Sequence, residues 1–206
     1  MLADDGFDLT HAFDTTLIAP LVPPALIAKR RGVIVGNTRA LWPRFLAAYH
    51  ADRELAASPD PLDRYTELAV ARAYPGAPAW FSHRRYDGAF VPFQKIAAVA
   101  GLGVLMPTQL VIHPLYGPWF ALRALVLVDG EPPPHVLPTL SCCTSDCTAR
   151  LDAALASGGD WRAWLAVRDA CNVGRAFRYG DQQIAYHYTK DRSLLTVGES
   201  ATEVPR

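Results

Sequence analysis

The amino-acid sequence predicts an α+β domain in which helices pack against an antiparallel sheet. Short apolar runs typical of strands occur among segments whose apolar residues recur at helical spacing. The composition, 50% hydrophobic and 19% charged, is that of a globular protein and not of a disordered one. A chain of 206 residues can build one substantial core, so we expect a single domain spanning residues 1–206.

The N-terminal half is expected to hold a strand and two helices. The run RRGVIVGN predicts a short strand followed by a turn. Apolar residues at helical spacing follow, and Pro43 fits a first helical turn, which sets the start of that helix near Thr38. A second helix is predicted after Asp60, which can cap it, with Pro61 at its first position and a Pro-Gly pair after its end. The segment PAWFSHRRYDG is interpreted as an edge strand or an extended loop.

The segment VPFQKIAAVAGLG predicts a helix rich in small residues that glycines bring to an end. Its residues Ala97, Ala98, Ala100 and Gly101 would let another backbone or a flat ligand approach closely. Tight packing against protein and binding of a planar ligand both explain this pattern, and the segment alone does not separate them.

Two further strands and three helices are expected after that helix. The runs TQLVIHP and PWFALRALVLVDG predict strands joined by a turn at residues 115–118, which favours an antiparallel hairpin. Four prolines in EPPPHVLPTL indicate a surface linker. Helical segments follow in DCTARLDAALASGG, DWRAWLAVRDAC and YGDQQIAYHYTKDRSLL.

The charge balance argues against several classes of partner. Lys plus Arg and Asp plus Glu both number 20, so no excess of basic charge favours nucleic acid or an anionic lipid surface. The opening MLADDGFDLT is acidic, and no apolar run approaches the length of a membrane span. We therefore expect a cytoplasmic protein with no nucleic-acid or membrane partner.

Arg123 and His113 lie inside the otherwise apolar stretch LVIHPLYGPWFALRALVLVDG. An arginine buried without a partner is costly, so an anion should meet Arg123. That anion is either an internal acid such as Asp129 or Asp169, or a carboxylate or phosphate of a ligand. A histidine at a strand end is more often a hydrogen-bonded structural residue than a catalytic one.

Arg168 raises the same question in the segment WLAVRDA. Its side chain either pairs near Asp169 at the surface or points inward beside Trp161 and Trp164. These tryptophans, together with Trp119 and Phe120, are most simply core residues. The chain has no Gly-rich phosphate loop, no G-x-S-x-G elbow and no H-E-x-x-H helix, so these motifs assign no catalytic residue.

The cysteines are unusually distributed, because Cys142, Cys143 and Cys147 crowd into CCTSDC while Cys171 stands apart. A metal or cluster site normally needs paired spacings, and a disulfide between adjacent cysteines is awkward in geometry. We therefore predict no metal site. Whether these thiols are redox-active stays open, although Cys147 opens a helix whose amide dipoles can lower a thiol pKa.

Several ordered motifs resemble the CblC (MMACHC-like) cobalamin-processing family over nearly the whole chain. The stretch VIHPLYGPWFALRALVLVDG is similar to that family's I-H-P-x-x-G-x-W-F-A-x-R-x-x-V-L signature. The other similar segments, also in order, are GFDL…LVPPA, DPLDRYTELAV, DWRAWLAVRDAC and RYGDQQIAYHY. The central stretch also resembles epoxyqueuosine reductase, a more distant relative, but the C-x-x-C-x-x-C-x-x-x-C-P run of its iron–sulfur clusters is missing here.

The resemblance implies a nitroreductase-like fold, with an antiparallel sheet flanked by helices, that binds cobalamin base-off. It implies an enzyme that removes the upper axial ligand, by decyanation with reduced flavin (FMN or FAD) or by dealkylation with glutathione or another thiol. The D-x-H-x-x-G pattern that supplies an axial histidine elsewhere is absent, in agreement with base-off binding. A base-off cobalt is easier to reduce, and a thiolate held in line with the cobalt–carbon bond gains from proximity.

The site residues implied by the resemblance fall into two groups. Arg123 and Arg168 match family arginines associated with glutathione, and Arg192 is the nearest match to a third. Candidate cofactor-binding residues are Ala98, Gly101, His113, Tyr116, Gly117 and Trp119. Ala98 stands where the family has a histidine.

Departures from the family leave alternatives open. Cys147 resembles a single family cysteine, and Cys142 and Cys143 are additional, so the chain's own thiols or a bacterial-type thiol could replace glutathione. A non-catalytic cobalamin carrier and a flavin-dependent reductase without corrin are the other functions considered. The natural upper ligand, the electron donor, a delivery partner and a homodimer are not fixed by the sequence, nor is replacement of cobalamin by another planar cofactor.

Overall fold

The structure is a computed structural model that describes residues 1–142 and 145–196. Its strands are β1 (Leu9–Asp14), β2 (Arg31–Asn37), β3 (Ala79–Phe81), β4 (Arg85–Tyr86), β5 (Ala89–Phe90), β6 (Val104–Leu105), β7 (Val111–Ile112) and β8 (Ala121–Val128). Its α-helices are α1 (Leu41–Ala51), α2 (Arg53–Ala57), α3 (Pro61–Ala73), α4 (Phe93–Val99), α5 (Ser145–Ala156), α6 (Trp161–Ala170) and α7 (Asp181–Thr189). Short 3-10 helices span Thr15–Ile18, Pro24–Ile27, Arg175–Phe177 and Arg192–Leu195.

The main sheet has four strands in the order β1-β2-β8-β3, and each pairing is antiparallel. The expected antiparallel sheet with flanking helices is thus confirmed. Its central strands are apolar on both faces because each face is covered. Val33 and Val35 pack with residues of α1, α3 and α7, whereas Ile34 and Leu125 pack with Ile96 of α4.

A β-bulge interrupts the pairing of the two central strands. Val35 pairs with Ala124, but the next residue, Gly36, pairs with Leu122, so Arg123 has no partner across the ladder. A Cβ atom on Gly36 would lie 2.6 Å from the carbonyl oxygen of Ala121, and therefore only glycine fits there. Bulges of this kind redirect a side chain out of the regular alternation. The bulge gives Arg123 a direction that strict alternation would not.

The helix signals in the N-terminal half are largely confirmed. The Asp60 side chain accepts a hydrogen bond from the Asp63 backbone N–H at 3.3 Å, and Pro61 is the first residue of α3. Pro43 lies in the first turn of α1. That helix begins at Leu41 and not near Thr38, because residues 38–40 form a turn in which the Leu41 N–H donates to the Thr38 carbonyl.

The predicted hairpin of two strands around residues 115–118 is wrong. β7 pairs with β6, while both edges of β8 are occupied by β2 and β3. Only a single bridge between His113 and Gly117 closes the intervening turn. The sequence also gave no sign of β1, and the last predicted helix ends early because Lys190 adopts a left-handed φ of 56°.

The segment 131–140 forms neither helix nor strand, as its prolines predict. It runs against the end of α4, where the Val136 carbonyl lies above Gly101. PAWFSHRRYDG is confirmed as an edge element, since β3 is the last strand of the sheet. Within the described ranges, no helix combines the length and apolar character needed to cross a bilayer.

Candidate functional site

A cavity of about 420 Å³ opens between α4, β8, α6 and α7. Its walls are mostly apolar and aromatic, but two guanidinium groups and an imidazole reach it. The lining residues are Ser82, Phe93, Gln94, Leu110, Val111, Pro118, Phe120, Ala121, Leu122, Arg123, Trp164, Val167, Arg168, His187 and Tyr188. Among the described residues no carboxylate lines the cavity, so its charge is positive.

Arg123 reaches this cavity from the bulge in β8. Its Nε donates a hydrogen bond of 2.7 Å to Oδ1 of Asn37, a fully buried amide whose Nδ2 donates to the Thr38 carbonyl at 2.8 Å. The partner is neutral, so the charge of the guanidinium is oriented but not compensated. Burial accordingly lowers the pKa of the Arg123 guanidinium.

Arg168 reaches the cavity from α6 and points inward, with 7% of its surface exposed. Its Nη2 donates to the Pro118 carbonyl, and its guanidinium lies over the rings of Trp119 at 4.9 Å and Tyr179 at 5.5 Å. Its buried Nε has no hydrogen-bond partner in the described structure. A buried donor without a partner is costly, so this end of the side chain has bonding capacity left for a ligand.

The internal acids considered as partners for Arg123 are engaged elsewhere. Asp129 pairs with Lys29 at 2.9 Å, and Asp169 pairs with Arg178 at 2.8 Å. None of the ion pairs among residues 1–142 and 145–196 includes Arg123 or Arg168. The arrangement of the two arginines therefore favours the ligand alternative over the internal one.

The cavity also contains polar residues that the sequence did not predict, namely Ser82, Gln94, His187 and Tyr188. Gln94 accepts a hydrogen bond from the Val111 backbone N–H at 3.3 Å, and His187 and Tyr188 enter from α7 with their rings 5.0 Å apart. Desolvation by the cavity wall lowers the pKa of His187, and the charges of Arg168 and Arg123 lower it further. His187 lies one helical turn after the buried Ile184, a spacing that could have marked its face of α7.

His113 occupies a structural position in the turn after β7. Its Nδ1 accepts hydrogen bonds from the backbone N–H groups of Leu115 at 3.1 Å and Tyr116 at 3.2 Å. Its ring stacks on Tyr116 with centroids 4.6 Å apart, and burial lowers the pKa of its imidazole. These contacts agree with the hydrogen-bonded structural interpretation of this residue.

The two glycines expected near a cofactor are covered by protein backbone. A Cβ on Gly101, at φ +86°, would lie 2.3 Å from the Val136 carbonyl oxygen, and one on Gly117, at φ +58°, would lie 1.9 Å from that of Val173. Trp119 is 1% exposed beneath Arg168. The candidates that do not line the cavity are Ala98, Gly101, His113, Tyr116, Gly117 and Trp119.

Arg192 does not join Arg123 and Arg168. It lies on the surface and donates to the carbonyl groups of Ser58, at 2.9 Å, and Ala56, next to the end of α2. These bonds satisfy carbonyls at a helix C-terminus, which is a structural role.

The thiols lie away from the cavity wall as well. Cys142, Cys147 and Cys171 are buried, and Cys142 and Cys171 share a small apolar cluster with Met106 and Ile112. Cys143 lies outside the described residues. None of the described cysteines lines the cavity.

Comparison with known proteins gives two kinds of similarity. No protein-family model matches the chain. It is 27% identical over 218 aligned positions to the cyanocobalamin reductase / alkylcobalamin dealkylase of Bos taurus, covering 93% of this chain and 76% of that protein. The Homo sapiens protein of the same name is 28% identical over 221 positions, with the same coverage.

The solved structure of a C. elegans B12-trafficking protein, CblC, a human MMACHC homologue, superposes with a TM-score of 0.59. The alignment covers 94% of this chain and 90% of that one at 15% sequence identity, which shows a shared mixed fold of helices and sheet. Sequence similarity along almost the whole chain and this shared fold together confirm the resemblance of this protein to the CblC family.

Proposed function

We propose that this protein binds cobalamin and removes its upper axial ligand, as the names of its bovine and human relatives describe for those proteins. The observation that carries the proposal is the pair Arg123 and Arg168, two guanidinium groups in one cavity with no carboxylate partner in the described chain. Such a pair favours an anionic ligand in this cavity.

Glutathione fits the chemistry of this cavity. It brings two carboxylates for two arginines, and a cavity of about 420 Å³ lies within the range that small-molecule ligands occupy. The corrin ring is much larger than a tripeptide, so we assign the cavity to the thiol and its mouth to cobalamin. Reduced flavin (FMN or FAD) is the alternative electron donor for decyanation, and it would supply electrons in place of a thiol.

The dealkylation step is a displacement at the alkyl carbon of the cobalamin ligand. The thiolate sulfur forms the new carbon–sulfur bond, and the cobalt–carbon bond breaks with its electron pair going to cobalt, which changes from Co(III) to Co(I). The products are a thioether and cob(I)alamin. Arg123 and Arg168 contribute by holding the carboxylates, which fixes the sulfur relative to the cobalt–carbon bond and makes the attack effectively intramolecular.

A visible-spectrum titration of the protein with methylcobalamin under anaerobic conditions, followed by glutathione, tests this function. We expect a shift to the base-off spectrum and then loss of the methyl group. A base-off shift without reaction under either thiol or reduced flavin would favour a carrier. No spectral change at excess protein would contradict cobalamin binding, and a protein that also purifies yellow with bound flavin would then favour a flavin reductase.

A matched pair of variants on α6 tests the role of the arginines. Arg168→Gln removes the inward guanidinium, whereas Arg162→Gln removes an exposed one that lies over Trp161 on the same helix. We expect only Arg168→Gln to weaken thiol binding and dealkylation while methylcobalamin still binds base-off. Equal activity of the two variants, in folded protein, would contradict the thiol site.

A further inference from the structure

His187 shares the cavity with Arg123 and Arg168 but comes from a third element, α7. Neither of its ring nitrogens makes a hydrogen bond to a described residue. By contrast, the ring of His11 contacts the Ala100 carbonyl at 2.7 Å, and that of His83 contacts Glu67 at 2.9 Å. The imidazole of His187 therefore faces the cavity with its nitrogens available.

We propose that His187 accepts the proton of the thiol substrate, an inference that rests on the function proposed above. The sulfur–hydrogen bond breaks, the proton passes to a ring nitrogen, and the electron pair left on sulfur attacks the alkyl carbon. Among the described lining residues, His187 is the one whose side chain carries a neutral basic nitrogen that can accept a proton. The arginines are already protonated, and glutamine is not basic.

The charges around His187 make its basicity depend on the ligand. The positive charges near it are those of Arg123 on β8, Arg168 on α6 and Lys190, the residue that follows α7 and pairs with Asp60 at 3.3 Å. No carboxylate lines the cavity in the described chain. Desolvation, and to a smaller extent these positive charges, lower the pKa of His187 and keep its imidazole neutral before the ligand binds. Two ligand carboxylates would compensate the guanidinium groups, and His187 would then become a stronger base when the thiol arrives.

The position of His187 also provides a route for the proton to leave. His187 is an exposed residue in the ligand-free chain, so the imidazolium can pass its proton to bulk water once the thioether and the cobalamin have left. The residue can thus return to its neutral form in every cycle without a further protein group.

The decisive experiment compares His187→Gln with His50→Gln across a range of pH. His50 is a matched control, because it is also exposed on a helix with its ring edge against the neighbouring tyrosine, at 5.5 Å. We measure thiol-dependent demethylation of methylcobalamin at saturating glutathione. At pH 7 we expect His187→Gln to be slower by about tenfold to a hundredfold, at the lower end of general-base effects because thiols are acidic.

The pH dependence separates proton transfer from simple positioning. Above the thiol pKa, about 8.5 for a free cysteine, hydroxide ionises the thiol and the difference between His187→Gln and wild type should disappear. A deficit of the same factor at every pH, or no deficit at all, would overturn the proposal. Wild-type protein that binds methylcobalamin but never demethylates it would instead overturn the proposed function, and this inference with it.

A second measurement does not depend on turnover. The imidazole of His187 is titrated by NMR with and without S-methylglutathione, which keeps both carboxylates but has no thiol proton. We expect the pKa of His187 to rise by about one unit or more on saturation, because a negative charge within a few ångströms favours the protonated imidazole. An unchanged or lowered value would overturn the proposal, whereas His50 should not respond.

Discussion

Two groups of charged side chains in this molecule are organised in opposite ways. Next to α3, the Glu67 carboxylate lies 2.9 Å from His83 and 2.6 Å from Arg84, and Asp60 lies 3.3 Å from Lys190. In the cavity, Arg123 and Arg168 meet only neutral amides, carbonyls and aromatic rings. The first group is neutralised by the protein itself, and the second is left for a ligand to neutralise.

This contrast distinguishes a ligand site from a structural ion-pair network. The basic side chains of the first group are largely exposed, Arg84 at 53% and Lys190 at 48%, whereas Arg168 in the cavity is 7% exposed. Among the described residues, no carboxylate lines the cavity. In addition, the buried Nε of Arg168 has no hydrogen-bond partner in the described structure. Substitutions in the ion pairs at α3 should therefore lower stability, whereas substitutions of the cavity arginines should lower ligand affinity.

The largest effect should come from Gly117→Ala, which disrupts a close backbone contact next to the cavity. The new Cβ would combine a left-handed φ of 58° with a clash 1.9 Å from the Val173 carbonyl oxygen, just beyond α6 and Arg168. We expect a loss of about 3 kcal/mol or more in the free energy of unfolding, measured by denaturant titration. Gly76→Ala is the control, since its φ is 72° but no atom lies within 4 Å; it should cost only about 1–2 kcal/mol.

Arg123→Gln should change ligand affinity without lowering stability. Removing a charged hydrogen-bond donor should weaken glutathione binding by about 1.5–3 kcal/mol, measured by calorimetry. The free energy of unfolding should stay the same or rise, because an uncompensated buried charge disappears. Arg178→Gln should do the reverse, since Arg178 pairs with Asp169 and Asp181. Lower stability with unchanged affinity in Arg123→Gln would contradict the ligand assignment.

Glu67→Gln tests the ion pairs at α3, which the protein neutralises by itself. This carboxylate is only 17% exposed and contacts both His83 and Arg84, so its loss leaves two basic groups with less compensation. We expect about 1–2 kcal/mol lower stability in thermal or denaturant unfolding. Glutathione affinity should not change, and a change would mean that the two groups of charges are coupled.

The smallest effect concerns Asp63, whose pKa is raised mainly by burial. A carboxyl with a raised folded-state pKa favours folding at acid pH, and this contribution is lost as the pH rises through that pKa. Asp63→Asn should therefore be more stable than wild type at pH 7, by up to about 1 kcal/mol, and this advantage should vanish below about pH 4. Denaturant unfolding of both proteins at both pH values would test this prediction. A variant that is less stable than wild type at pH 7 would contradict it.

The sequence was informative where local signals decide the structure. Asp60 and Pro61 marked the start of α3, and the prolines of residues 131–140 marked the linker. The sequence was not informative where contacts between distant segments determine which strands pair. β7 and β8 looked like a hairpin, yet β8 is already paired on both edges, and no local signal reports which strand takes an edge.

The site was predictable in part for the same reason. Arg123 and Arg168 stood out because a charge in an apolar run is a local anomaly, and the structure places both at one cavity. The bulge that directs Arg123 and the approach of His187 from α7 depend on contacts between distant segments. Arg192 was suggested by resemblance alone, and its contacts with α2 carbonyls put it elsewhere.

The pairing of β2 with β8 has a consequence for how the chain folds during synthesis. Residues 31–37 leave the ribosome long before residues 121–128, with which they pair. The apolar strand that contains Ile34 therefore has no partner on this edge until β8 has been synthesised. Contacts of such large sequence separation slow folding and prolong exposure to aggregation. Because α6 and α7 emerge later still, the cavity cannot be complete until residues 161–189 have been synthesised.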